Sequence, residues 1–181
     1  NDGTIECATF GNSAGGTFNW TSGTLRYSGG LDVTSATPFS EATSDAIFAG
    51  RTLDVGGTLT IGDTGTLSLT GGTIVAKQVD LDAAGAFRTP SGTLRVNALT
   101  GFGSASFGAD VELGHAGGTG SGSHTVAAGE SFATPNLTVG YNAGATLNVD
   151  LGGLVTSATG YLGNTGVTGT ANVAGTWTNT E

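Results

Sequence analysis

Apolar and polar residues alternate along most of this chain in short runs bounded by glycine. Thr58-Leu59-Thr60-Ile61, Thr66-Leu67-Ser68-Leu69, Thr73-Ile74-Val75-Ala76 and Thr93-Leu94-Arg95-Val96 are the clearest, and most of the ten Gly-Thr pairs open such a run. A period of two predicts half-buried β-strands, because successive side chains point to opposite faces. Leu59, Ile61, Leu67, Leu69, Ile74, Leu147 and Val149 are therefore expected on inner faces, with Thr60, Ser68 and Asn148 not all buried.

The strands belong to a longer repeat. An apolar-Gly pair followed by another glycine occurs at Ile61-Gly62 with Gly65, Leu113-Gly114 with Gly117, Val139-Gly140 with Gly144 and Leu162-Gly163 with Gly166. The starts are 52, 26 and 23 residues apart, which predicts coils of about 23–26 residues with one degenerate coil between the first two. Leu59-Thr60-Ile61-Gly62 through Leu67-Ser68-Leu69 aligns with Leu137-Thr138-Val139-Gly140 through Leu147-Asn148-Val149. Such a coil holds about three short strands joined by tight corners, where glycine supplies the positive φ that a Cβ resists. The expected fold is all-β, a right-handed parallel β-helix (β-solenoid) of about seven coils and about 35 Å in length. Residues 1–181 form a single domain, with irregular excursions near 34–50 and 114–129. Within the first, Ser40 to Phe48 suits one or two helical turns or a loop that leaves the stack. Phe18, Phe87, Phe107 and Phe132 are expected to fill the core.

Composition removes whole classes of function. Glycine supplies 34 residues against only three prolines, without the triplet regularity of collagen. Lys77, Arg26, Arg51, Arg88 and Arg95 are the only strong bases against 14 acids, a net charge of −9. That balance predicts no nucleic-acid binding and no attraction to anionic membranes, and no apolar run reaches membrane-spanning length. Cys7 is the only cysteine, so no intrachain disulfide can form. Scarce lysine with abundant Thr, Ser, Gly and Asn fits a secreted bacterial surface protein. The start at Asn1-Asp2 reads as that of a processed product.

From Leu137 onward, Leu-Thr-Val-Gly-Tyr-Asn-Ala-Gly-Ala-Thr-Leu-Asn-Val resembles the repeat of autotransporter passengers and PEP-CTERM-associated surface proteins. Gly160-Tyr161-Leu162-Gly163, Gly169-Thr170-Ala171-Asn172-Val173 and Thr176-Trp177-Thr178-Asn179 continue the likeness, and residues 15–33 and 53–100 resemble looser repeats of the same proteins. The resemblance implies a stalk, scaffold or adhesive rod at the bacterial cell surface. It also implies that the pattern breaks off in mid-repeat at Glu181.

Catalytic signals are sparse. His115 and His124 flank a glycine-rich stretch with no cysteine or carboxylate at ligand spacing, so both read as solvated loop histidines rather than zinc ligands. Asp80 with Asp82 and Asp110 with Glu112 are carboxylate pairs spaced i,i+2, about 7 Å apart on one strand face. Lacking neighbours that would set up an acid and a base, they read as a solvated outer face. Asp63 with Asp80 and Asp82 could offer calcium a weak surface site, and no other cofactor is expected. The Thr-x-Thr strands at Thr58 and Thr176 invite an ice-binding reading, but drifting coil length opposes it. Trp20, Tyr27, Tyr141, Tyr161 and Trp177 read mainly as core or corner packing.

The expected protein is a non-enzymatic extracellular subunit of a surface filament or matrix whose principal partner is itself. Ile5, Cys7 and Phe10 near one end, with Thr176, Trp177 and Thr178 near the other, are the expected self-association residues. Identical head-to-tail contacts between such ends build an open fibre. The alternative is an adhesin or passenger-type rod whose 101–129 segment presents a loop for glycans or a protein partner.

Overall fold

The computed structural model of the protein describes residues 3–9, 18–34, 45–62, 64–114, 121–164 and 166–181. Its regular elements are strands throughout: β1 (Thr4–Cys7), β2 (Gly23–Tyr27), β3 (Leu31–Val33), β4 (Asp45–Phe48), β5 (Arg51–Ile61), β6 (Thr66–Leu81), β7 (Ala86–Thr100), β8 (Ala105–Ser106), β9 (Asp110–Leu113), β10 (Gly122–Val126), β11 (Ser131–Val139), β12 (Ala145–Val149), β13 (Leu154–Leu162), β14 (Gly169–Val173) and β15 (Thr176–Asn179). Twelve strands pair in one sheet, while β10, β12 and β14 pair in another. Every pairing is parallel.

The pairings resolve into three ladders along the stack. In ladder I, Ile5 pairs with Leu25, and the line continues through Leu53, Ile74, Leu94, Val111, Leu137 and Gly160. The steps are 20, 28, 21, 20, 17, 26 and 23 residues, seven turns of a parallel β-solenoid. Ladder II carries Leu31, Leu59, Val79 and Leu99, and farther along His124, Leu147 and Ala171. Ladder III joins Ile47 to Leu69 and Leu67 to Phe87, and later runs through Ala105, Phe132, Val155 and Trp177.

The expected steps of 26 and 23 residues are the last two; most earlier ones are shorter. The aligned motifs explain why, because they lie on different ladders. Leu59 and Ile61 belong to ladder II, whereas Leu137 and Val139 belong to ladder I. The motif repeats by strand–corner–strand, and every corner draws on the same small set of residues.

Alternation places one apolar stripe inside each ladder. Leu53, Leu59, Ile61, Leu67, Leu69, Ile74, Leu94, Val111, Leu137 and Leu147 are wholly buried, and Val149 nearly so. Thr60, Ser68 and Asn148 are only partly covered. Between the short and long steps the inner space is filled by rings: Phe87, Phe102, Phe107 and Phe132 follow one another at centroid distances of 6.0, 5.7 and 5.3 Å. Tilted and edge contacts of that kind add to the burial of the rings themselves. The corner from ladder II to ladder III needs glycine for close approach. A Cβ on Gly65, Gly85 or Gly101 would run into the carbonyl of Val33, Ile61 or Leu81, three equivalent positions in successive coils.

Both expected excursions are shorter than their sequence suggests. β4 occupies 45–48, where a helical turn or a loop leaving the stack was expected, because Ile47 joins the inner stripe over Leu69. β10 likewise occupies the later part of 114–129. Residues 35–44 and 115–120 lie outside the described residues.

The register yields a paired prediction. Leu67→Asp forces a charge into the stripe and should cost on the order of 4 kcal/mol or more, enough to abolish folding. Ser68→Asp, one residue away on the outer side, should change stability by less than about 1 kcal/mol. Denaturant melts followed by circular dichroism check both; similar losses in the two variants would contradict the register.

Candidate functional site

The outer side of ladder I begins as a threonine column, Thr4, Thr24, Thr52, Thr73 and Thr93, which then becomes Asp110. Beside it runs a mixed column, Glu6, Arg26, Asp54, Val75, Arg95 and Glu112. Here Arg26 Nε donates to Asp54 Oδ2 at 2.7 Å, and Arg95 Nε donates to Glu112 Oε2 at 2.6 Å. The Thr-x-Thr strands named for ice binding lie elsewhere and are not repeated from rung to rung: Thr58 and Thr60 pair with Gln78 and Asp80, and Thr176 pairs with Leu154.

At the far end of the stack, the rung made by 159–162, β14 and β15 carries no further strand among the described residues. Inner-stripe positions are uncovered there: Leu162 is 54% exposed and Val173 45%. Trp177 is half-buried and folds across the end. A Cβ on Gly160 would lie 2.7 Å from Trp177 Cζ2, so the glycine makes room for the indole. Trp177 Nε1 donates to Ser157 Oγ at 3.1 Å, and Ser157 Oγ donates to Asn179 Oδ1 at 2.6 Å. Ser157 is wholly buried, so these two bonds hold the terminal rung through a satisfied polar group.

At the opposite end, β1 is the first rung of ladder I, and inward Ile5 is 51% exposed. Cys7 Sγ donates weakly to the Arg26 carbonyl at 3.7 Å. Burial, followed by the adjacent Glu6 charge, pushes the Cys7 thiol above its ordinary value, so at neutral pH it is protonated and a poor nucleophile. Thr176 and Thr178 are exposed on ladder III, with Trp177 between them. The two sets of expected self-association residues thus lie at opposite ends and on different ladders. Along ladder I, the positions of Ile5 and Cys7 recur at Gly160 and Leu162. Phe10 lies outside the described residues.

The other candidates also have places. His124 is not a solvated loop residue: it stands on β10 in the inner stripe, 5.1 Å from the Phe132 ring. Sequence reading missed this because only the parity with Val126 marks it, within a glycine-rich stretch. Desolvation holds its imidazole below the ordinary value, opposed by a hydrogen bond to the Leu99 backbone and by Glu130. His115 and Asp63 are outside the described residues. Asp80 accepts from Gln78 Nε2 at 2.6 Å. Among the described residues no three His, Cys, Asp or Glu side chains are grouped to hold a metal ion. Comparison with protein families, characterised proteins and solved structures yields no match.

His124 predicts a pH dependence of known sign. Its folded pKa is depressed, so the unfolded chain takes up the proton more readily. Its contribution to stability is complete above about pH 6.5 and is lost as pH falls through the folded value. Urea melts between about pH 7.5 and 5 should show the wild type losing more stability than His124→Leu; parallel losses would contradict the inward placement.

Proposed function

We propose that the protein is a non-enzymatic structural rod, a β-solenoid subunit that stacks head to tail with copies of itself in an extracellular filament or matrix. The observation that carries this reading is the last rung, where Leu162, Val173 and the Trp177 indole lie at a sheet edge that has no further strand partner among the described residues. An exposed edge with apolar side chains favours the addition of another strand.

In the stack we propose, β1 of one copy lies on residues 159–162 of the next, continuing ladder I. Ile5 then meets the indole over Gly160, Cys7 meets Leu162, and Thr4 follows the threonine at 159. β15 contributes through Trp177 rather than by pairing directly with β1. The contact is heterologous and repeats without closing, so its product is a linear fibre. A location at the bacterial cell surface accords with the scarcity of lysine and with the resemblance to surface-protein repeats.

Sedimentation velocity and negative-stain microscopy test the proposal. The wild type should form linear assemblies that grow with concentration. Leu162→Lys should be at least about tenfold weaker in association, the effect of roughly 1.4 kcal/mol at a desolvated contact, with its melting temperature little changed. A wild type that stays monomeric at high concentration would refute stacking and leave the adhesin rod as the better reading.

A further inference from the structure

A second surface feature lies on the outer side of the solenoid and reaches the terminal rung only at Tyr161 and the corner that follows it. In the later coils the outer side of ladder I forms a groove of about 420 Å³ floored by Asp110, Glu112, Asn136 and Thr138 and walled by Tyr141 and Tyr161. That volume lies at the small end of ligand sites. The floor comes from adjacent rungs of β9 and β11, with Tyr161 on the next rung, β13. Tyr141 rises from the corner after β11, where Gly140 has φ +85°.

The floor is fixed in place. Asn136 Nδ2 donates to Asp110 Oδ1 at 2.8 Å, and Arg95 Nε donates to Glu112 Oε2 at 2.6 Å. Arg95 also lies 5.3 Å from the centre of the Tyr141 ring, which ties that wall to the floor. Tyr161 is 54% exposed, a large ring left beside a polar surface.

We propose that this groove binds a neutral pyranose-containing glycan. The C–H face of a sugar ring is apolar and weakly positive at its edge hydrogens, which suits the electron-rich face of a tyrosine. Its hydroxyls donate to carboxylates, which accept at about four lone-pair positions each, so one protein partner apiece does not exhaust Asp110 and Glu112. The Asn136 amide and Thr138 hydroxyl add mixed donor and acceptor capacity. Anionic sugars are disfavoured, because Asp110 and Glu112 line the groove and Arg95 beside it is engaged by Glu112. An added peptide strand is disfavoured on the floor, since β9 and β11 already have strand partners on both sides. This site lies on the solenoid wall: Asp110 and Glu112, although within 101–129, belong to β9 and not to a loop.

Saturation-transfer NMR on the 181-residue chain tests the proposal with cellotetraose, mannotetraose and trigalacturonate at millimolar concentration. At least one neutral oligosaccharide should receive saturation and trigalacturonate should not. Tyr161→Ala, which truncates an exposed ring, should weaken binding roughly fivefold or more, and Glu112→Gln should weaken it too. Asn148→Ala on ladder II should leave it unchanged. The proposal is overturned if neither neutral sugar is saturated, if trigalacturonate binds best, or if Asn148→Ala is as damaging as Tyr161→Ala. Assembly state is read separately by sedimentation, so failure of the sugar site and failure of stacking are distinguishable.

Discussion

Everything in this molecule depends on parallel registration of one coil upon the next. A single coil cannot bury its inner side chains or satisfy its backbone, because both partners come from its neighbours. Ile74 illustrates the dependence: it pairs with Leu53 on one side and Leu94 on the other, and all three are wholly buried. Interior coils therefore have two partners, and a terminal coil has one. Among the described residues, the first and last rungs are therefore the least satisfied.

Coil length varies from 17 to 28 residues along ladder I without breaking that registration. Shifts of register fall at bends within the long strands, between Val55 and Thr58 in β5 and around Thr70 in β6, and the inward parity of β6 changes across its bends. Where the variation is sharpest, the phenylalanine stack and His124 fill the interior in place of a regular aliphatic stripe. Aromatic rings cover more area per residue than leucine or valine and so fill an irregular interior with few side chains. His124 brings a cost to that packing, since its ring is held neutral among apolar neighbours.

Strand existence and parity were legible in the sequence because a period of two leaves little choice. Leu67 and Ser68 differ in burial as their alternation requires. The phase of the coil was not legible. Apolar-Gly corners recur between different ladders, so Leu59 before Ile61-Gly62 and Leu137 before Val139-Gly140 look equivalent although they occupy ladders II and I. Polar positions were harder still. Asp110 and Glu112 were visible as a pair, but not that β11 would set Asn136 and Thr138 beside them or that Tyr141 and Tyr161 would wall the same groove. Those contacts join residues more than twenty apart, and local pattern does not encode them.

The terminal rung gives the central claim its most direct test. Hydrogen exchange measured by mass spectrometry, on this chain at rising concentration, reports backbone protection at each rung. Stacking predicts that protection at 4–7 and 159–162 rises with concentration, while the interior rungs around Leu53 to Leu137 remain protected throughout. Terminal-rung exchange that is fast and independent of concentration would contradict the account.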